Sequence, residues 1–383
     1  MKTKRLAVLE IGSDTITLIV QNNKYTNNIL FKGARHYEGF ANGEFFKKEE
    51  IYFSILDLIN ECGVPVLPES ILVGVPGEFT TVVCKEVTKK FDSLRAVTDA
   101  DVVDILIAGN TYDNRSDYNT INAAPIKFTL DSGKQTITPV GVHSSRISGY
   151  ISYILCECSF LYFFKSIAKR LGVKFEFTST ILAEVLHIIP SKLRDETGTL
   201  FLDIGYLSTT LAYANGDGIL YMTSFSLGLG YMAAYISEGM EIPFEHGKAL
   251  IPKINLYIAN FNDNTYSITV GSRAYDYDIR TVNEIASGTI ELITRTINRA
   301  IKQTEINIPR TVNVLLTGSN LAELPGAKEF IAHEIGRQVS VVRPALMHFD
   351  KLSLSGVASL IIEQQQQIEI KKPFLKKIFG RKK

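Results

Sequence analysis

Leu200-Phe201-Leu202-Asp203-Ile204-Gly205 ends an apolar run on an acid and a glycine, and Thr209-Thr210-Leu211-Ala212-Tyr213 resumes it after a short turn. Two apolar runs of strand length around turn residues read as a β-hairpin. The same pattern stands near the N-terminus, where residues 6–10 run into Ile11-Gly12-Ser13-Asp14 and apolar residues return at 16–20. Superposing the copies pairs Leu9 with Leu202, Glu10 with Asp203, Ile11 with Ile204 and Gly12 with Gly205. An acid closing a buried strand before Ile-Gly, twice and about half a chain apart, predicts two related lobes.

Working outward, residues 50–62 carry apolar side chains at helical spacing (Ile51, Ile55, Leu58, Ile59) and residues 71–75 read as a strand. Residues 80–153 are β-rich, with strands near 124–130 and one helix over 99–108 that Thr98 would cap. Helices are expected at 161–171 and 179–189 around a strand at 174–177. After the second hairpin come a strand at 221–227 and a helix at 230–238. Residues 243–258 should be largely helical, with Pro252 kinking or ending them. A strand at 266–270 and a long amphipathic helix at 282–302 (Ile285, Ile290, Ile293, Ile297, Ile301) precede a strand at 312–316 and a helix at 326–335. Strands and helices alternating around two hairpin sheets predict an α/β architecture.

A glycine hairpin turn can present backbone N–H groups to phosphate oxygens, and an adjacent carboxylate can hold Mg²⁺ through water. Two such tips facing each other would clasp a nucleotide tail. A third element, Leu315-Leu316-Thr317-Gly318-Ser319-Asn320, is a buried strand entering a glycine turn, where a flat ligand such as adenine can approach because Gly318 has no Cβ.

In that order the three elements resemble the phosphate 1, phosphate 2 and adenosine motifs of the actin/Hsp70/sugar-kinase superfamily. Within it nearly the whole chain is similar to the bacterial FtsA family. Ile71-Leu72-Val73-Gly74-Val75-Pro76-Gly77 resembles the family's strand before its inserted subdomain, Val97-Thr98-Asp99-Ala100-Asp101-Val102 its I-T-x-x-D-V helix start, and Ile137-Thr138-Pro139-Val140-Gly141 its N-P-x-G turn. Ser226-Leu227-Gly228-Leu229-Gly230 resembles its V-G-G stretch, and Glu245-His246-Gly247-Lys248 its E-x-x-K helix beside the nucleoside. The resemblance implies a two-lobed actin/Hsp70-like fold with an inserted β-rich, SHS2-type subdomain. Lobe 1 would comprise 1–83 and 158–198, with 351–362 returning to it, and the insert 84–157. Lobe 2 would comprise 199–227 and 311–350 with its own subdomain 228–310, followed by a linker over 363–370 and a tail over 371–383. It implies ATP held by Gly12, Ser13, Asp14, Gly205, Ser208, Thr209, Gly228, Glu245, Lys248, Gly318, Ser319 and Asn320, with Mg²⁺ near Glu10 and Asp203.

The chain departs from the family at its tips. Glu10 replaces the usual Asp of phosphate 1. Phosphate 2, normally D-I-G-G-G-T, reads Asp203-Ile204-Gly205-Tyr206-Leu207-Ser208-Thr209, and Gly228-Leu229-Gly230 stands where Gly-Gly-Asp is usual. Bulky side chains restrict a tip that must approach phosphate. Hydrolysis is therefore expected to be weak or absent. Glu184 and Thr180 lie where the superfamily places its water-activating residue, but a core-facing helix accounts for both equally and no base is assigned.

Composition is globular, at 45% hydrophobic and 21% charged, and 383 residues exceed the range of a single growing core. The net charge of +1 hides an asymmetry. The last thirteen residues hold seven bases and no acid, leaving 34 bases (41 less 7) against 40 acids in the body. Phe374, Leu375, Ile378 and Phe379 form one apolar stripe beside Lys376 and Lys377, between a first-turn Pro373 and a terminating Gly380. That is the composition of an interfacial helix on anionic lipid, with about 1 kcal/mol per base. FtsA resemblance carries a C-terminal membrane-targeting helix as well. Cys62, Cys84, Cys156 and Cys158 show no disulfide or zinc spacing, Cys156-Glu157-Cys158 sits in an apolar run, and no secretory signal is read at the N-terminus. The expected location is the cytoplasmic face of the membrane at the division site, with no nucleic-acid partner.

The resemblance further implies self-association into actin-like filaments and binding of the C-terminal peptide of the tubulin-like FtsZ on lobe 2. Arg295, Arg299 and Lys302 share one face of the 282–302 helix and would suit an acidic peptide. Two other readings stay open: a PilM-like scaffold of a membrane assembly apparatus, and a working ATPase or kinase, against which the altered phosphate 2 tip argues. A nucleotide-free pseudo-ATPase is the limiting case.

Overall fold

The computed structural model describes residues 5–22, 28–63, 66–112, 116–195, 197–258, 264–318 and 320–366. Two five-stranded mixed sheets share one topology. In lobe 1 the order is Lys174–Ser179, Ser70–Val75, Arg5–Ile11, Thr15–Asn22, Ile29–His36. Lobe 2, read from its opposite edge, repeats it with Val339–Val341, Val314–Gly318, Thr199–Ile204, Thr209–Asn215, Gly218–Phe225. The hairpins keep the same register, because Glu10 faces Thr17 and Asp203 faces Thr210 across their ladders. Both acids therefore end the central strand of a buried sheet.

The insert is an antiparallel sheet of Thr80–Ala96, His143–Glu157, Tyr118–Leu130 and the short Gln135–Thr136. The helix Asp99–Ala108 covers one face, and Thr98 caps it in a reciprocal capping box with Asp101. Asp101 is buried yet receives both guanidinium nitrogens of Arg95 at 2.8 Å and the Lys89 ammonium at 2.8 Å, which hold its carboxyl far below the usual range. The insert's other side docks on the edge strand of lobe 2. Ser152 Oγ donates to Ile219 O at 2.8 Å and accepts from Ile219 N at 3.2 Å, and Asp217 N donates to Pro125 O at 3.0 Å. An edge strand with open backbone groups is thereby closed by a neighbouring sheet.

Where apolar runs were long, elements fall where their periodicity places them. The helix Ile279–Gln303 buries Val282, Ala286, Ile290, Ile293 and Ile297. Among the regions that differ, three are instructive. Residues 243–258 hold the helix Phe244–Leu250 and then the 3₁₀ turn Ile251–Lys253, since Pro252 offers no N–H to the next helical turn. The strand Ile29–His36 was not foreseen, because half its residues face solvent and its core signal is thin. The expected linker begins inside a helix: residues 355–366 are helical, Gln364 is buried with its Nε2 on Ala7 O at 3.0 Å, and Glu363 pairs with His187 at 2.8 Å. A glutamine run that reads as solvated is thus partly pinned to lobe 1 by two buried polar contacts. Residues 367–370 and the tail, with Phe374, Leu375, Lys376, Lys377, Ile378 and Phe379, lie outside the described residues.

Candidate functional site

Both hairpin turns close by the same bond, Gly12 N to Thr15 O at 2.9 Å and Gly205 N to Ser208 O at 2.8 Å. The tips then meet each other across the cleft. Leu207 N of the second tip donates to Ser13 Oγ of the first at 3.0 Å. Ser208 Oγ donates to the half-buried Glu78 of the turn Gly77–Phe79, and Tyr37 OH donates to Gly12 O at 2.6 Å. Thr209 Oγ1 is spent on Leu227 O at 2.6 Å.

Behind the second tip starts the helix Leu229–Gly239, whose first amides would be free to bind an anion. They are already taken, because Leu229 N donates to Gly205 O at 3.0 Å and Gly230 N to Tyr206 O at 2.7 Å. The Tyr206 ring lies over Gly230, and its hydroxyl is held above the usual phenol range by burial, with the carboxylates of Asp14 and Glu245 adding to it. Gly228 must be glycine here: a Cβ would stand 2.5 Å from Tyr206 O and 2.6 Å from Gly205 O.

Four acids meet beneath the tips. Burial, with Asp203 adding, pushes Glu10 up to about 8, and burial with Glu78 adding pushes Asp203 up to about 7. Burial raises Glu78, and it raises Glu184 strongly, with Asp203 and Glu10 adding to the latter. The final helix is tied to this cluster, since Ser355 Oγ donates to Glu184 Oε1 at 2.5 Å and the Val357 amide hydrogen-bonds Glu10. Glu184 Oε2, Thr180 Oγ1 and Thr317 Oγ1 are buried without hydrogen-bond partners. Gly318, in the left-handed region at φ +98°, brings the adenosine turn against Asp203 and the Ile204 carbonyl.

The cleft thus gathers Glu10, Gly12, Ser13, Asp203, Gly205, Ser208, Thr209, Gly228 and Gly318. Asp14 lies 3.5 Å from the His36 ring nitrogen at the rim. Glu245 and Lys248 pair at 3.5 Å on an exposed helix face. Ser319 and the Asn320 side chain lie outside the described residues. Glu78, Tyr37 and Ser355 were not foreseen; only the acid beside Gly77 could have signalled the first of them.

Several of the expected phosphate contacts do not fit this arrangement. Among the described residues no group of three or more His, Cys, Asp or Glu is placed to hold a metal ion, Glu10 and Asp203 included. Of the tip groups that would receive phosphate, the Gly12, Gly205 and Leu207 amides and the Ser13, Ser208 and Thr209 hydroxyls already have protein partners. All four cysteines are free thiols.

No protein-family model matches the sequence, and no curated protein matches it. Solved structures do. The fold is that of the actin-like ATPases. The chain is similar to a structure of the PilM–PilN type IV pilus biogenesis complex (12% identity, covering 94% of this chain and 98% of that one, TM-score 0.59). It is similar to MreB5 of Spiroplasma citri bound to AMPPNP (9%, 97% and 99%, TM-score 0.57) and to the ethanolamine utilization protein EutJ of Carboxydothermus hydrogenoformans (12%, 94% and 91%, TM-score 0.52).

Proposed function

We propose that this chain is an actin-fold scaffold that rests on an anionic membrane through residues 371–383 and gathers a partner's peptide on lobe 2. The observation that carries this reading is the composition of residues 371–383, which hold seven bases, no acid and the apolar stripe of Phe374, Leu375, Ile378 and Phe379. Upstream of them, helix 355–366 is held to lobe 1 through Gln364 and Glu363. Seven bases at about 1 kcal/mol each, with four large apolar side chains, give a reversible hold on a surface. Among the described residues no helix is long and apolar enough to cross a membrane.

The finer form, drawn from the FtsA resemblance, is a filament-forming tether that binds the FtsZ C-terminal peptide at the cytoplasmic face of the division site. Arg295, Arg299 and Lys302 are exposed on the helix Ile279–Gln303, although Arg295 pairs with Glu291. The solved PilM–PilN complex supports a second form, in which the peptide belongs to a membrane assembly apparatus. Self-association is in keeping with a solved double-helical MamK filament, to which the chain is similar at 9% identity and TM-score 0.51.

Co-sedimentation of the full chain with vesicles tests the membrane reading. Binding to phosphatidylglycerol vesicles, weak binding to phosphatidylcholine, and loss on deleting 371–383 are expected; unchanged sedimentation after the deletion would sink it. Anisotropy with labelled FtsZ and PilN peptides separates the two finer forms, and Arg299→Glu with Lys302→Glu should weaken whichever peptide binds.

A further inference from the structure

We propose that Tyr206 and Leu207 of the second tip, latched by Ser13 of the first, fill the seat that a nucleotide's phosphates would take, so that this chain holds its lobes together with its own residues. Bringing two hairpin tips together requires something between them that accepts their outward N–H groups. In a phosphate-binding cleft those acceptors are anionic oxygens. Here the chain itself supplies acceptors for the amides of Leu207, Leu229 and Gly230.

Leu207 N, at the apex of the second tip, uses the Ser13 hydroxyl. The helix that begins at Leu229 has its first two amides on the carbonyls of Gly205 and Tyr206. Ser208, whose hydroxyl would face a phosphate, bonds Glu78. The Tyr206 ring covers Gly230 and approaches the two acids, Asp14 and Glu245, that flank the slot from opposite lobes. A triphosphate carries about four negative charges and would have to enter beside the carboxyl groups of Glu10, Asp203 and Glu78, all half-buried, and of the fully buried Glu184. Displacing the plug would break these hydrogen bonds, and the cleft acids offer the incoming anion no positive charge in exchange.

A second clasp makes the closure independent of the cleft. The insert belongs to lobe 1 by connectivity, yet its Ser152 and Pro125 bond the lobe 2 edge at Ile219 and Asp217. A joint core containing Ala124 and Ile154 of the insert, Leu182 of lobe 1 and Phe201, Ile219 and Leu315 of lobe 2 backs it. Two separate contacts between lobes suppress the hinge motion by which a two-lobed protein signals an occupied cleft. Assembly on a partner would then follow concentration and membrane attachment, without a nucleotide cycle. This inference stands whether or not the membrane reading does.

The experiment uses the full chain with Mg²⁺ and a fluorescent ATP analogue. Anisotropy is expected to show no saturable binding up to about 1 mM, and a dissociation constant below about 0.1 mM overturns the proposal. Amide hydrogen exchange supplies a second measurement that needs no ligand. Leu207, Leu229 and Gly230 amides should be protected in nucleotide-free protein, and Ser13→Ala should speed exchange at Leu207 about tenfold by removing its acceptor. Fast exchange at these amides that slows only on adding Mg²⁺ and ATP, or a Leu207 amide indifferent to Ser13→Ala, overturns it.

Discussion

Ser152→Ala addresses the contact that joins the insert to lobe 2. Ser152 is fully buried, and its one hydroxyl serves both backbone groups of Ile219, itself fully buried on an edge strand. Removing the oxygen leaves an N–H and a C=O in an apolar core. Cys84 Sγ at 3.5 Å from the same carbonyl is too weak a donor to replace it. Each orphaned group costs about 1–3 kcal/mol, and a methyl retains most of the packing, so a loss of about 2–4 kcal/mol is expected. That is a large part of the stability of an ordinary domain. Guanidinium titration gives the magnitude, and hydrogen exchange locates it: the Ile219 amide should lose protection while the Leu9 amide, deep in lobe 1, changes only with global stability. Cys84→Ala serves as the control and should cost less than about 1 kcal/mol. A Ser152→Ala protein within 0.5 kcal/mol of the parent (about 0.5 being the scatter of neutral changes), with Ile219 still protected, would refute the claim that this hydroxyl closes the lobe 2 edge.

Asp101→Asn should destabilise the insert by about 3 kcal/mol, because Arg95 and Lys89 lose their buried counter-charge while the Thr98 cap weakens; circular dichroism melts check it. Since the Asp101 carboxyl is held below its unfolded value near 3.9, its stabilisation is present above about pH 4 and fades only in stronger acid. The cleft acids have the opposite sign. Glu10 and Asp203, raised to about 8 and about 7, keep protons in the folded chain that the unfolded chain releases above about pH 4. Stability should therefore fall by up to about 1.4 kcal/mol per pH unit per group between roughly pH 4 and those values, and Glu10→Gln should flatten the melting-temperature profile between pH 5 and 8. Gly318→Ala forces a side chain into the left-handed region against Asp203, so a loss of at least about 2 kcal/mol is expected in denaturant titration.

The repeat of acid-Ile-Gly at Glu10 and Asp203 was enough to predict two equivalent sheets, because the register of a hairpin buried on both faces is fixed by its apolar residues. The helix start at Thr98 was equally legible, since Thr and Asp three apart satisfy each other's backbone groups locally. Contacts made across long sequence separations were not. Nothing in Glu363-Gln364-Gln365-Gln366 tells a solvated run from one whose second residue reaches Ala7, and nothing near Glu78 announces Ser208, which lies 130 residues away. The cleft residues themselves were named from the sequence, but their partners were not. A motif gives residue types and spacing, while the acceptors that occupy its donors come from the other lobe.

That distinction also explains which glycines this chain keeps. In the FtsA pattern that the sequence resembles, the second tip carries three in a row, and here Tyr206 and Leu207 stand at the last two positions. If those two positions need glycine only so that phosphate can approach, a chain that closes the tip with Ser13 is released from the need. Gly228 is under a different constraint, because the carbonyls of Gly205 and Tyr206 crowd its missing Cβ whatever the cleft contains. Gly318 is likewise required by its own φ and by Asp203. The losses fall where a ligand would impose the requirement, and the retentions fall where the backbone does. Restoring glycine at 206 and 207 should therefore leave the fold and the backbone bonds of Leu229 and Gly230 in place while removing the ring that lies over Gly230. Thermal melts within a few degrees of the parent, with the Leu229 and Gly230 amides still protected, are the expected pair of results. A collapse of the fold would show instead that Tyr206 and Leu207 are structural, and that the tip has no separable phosphate-facing part.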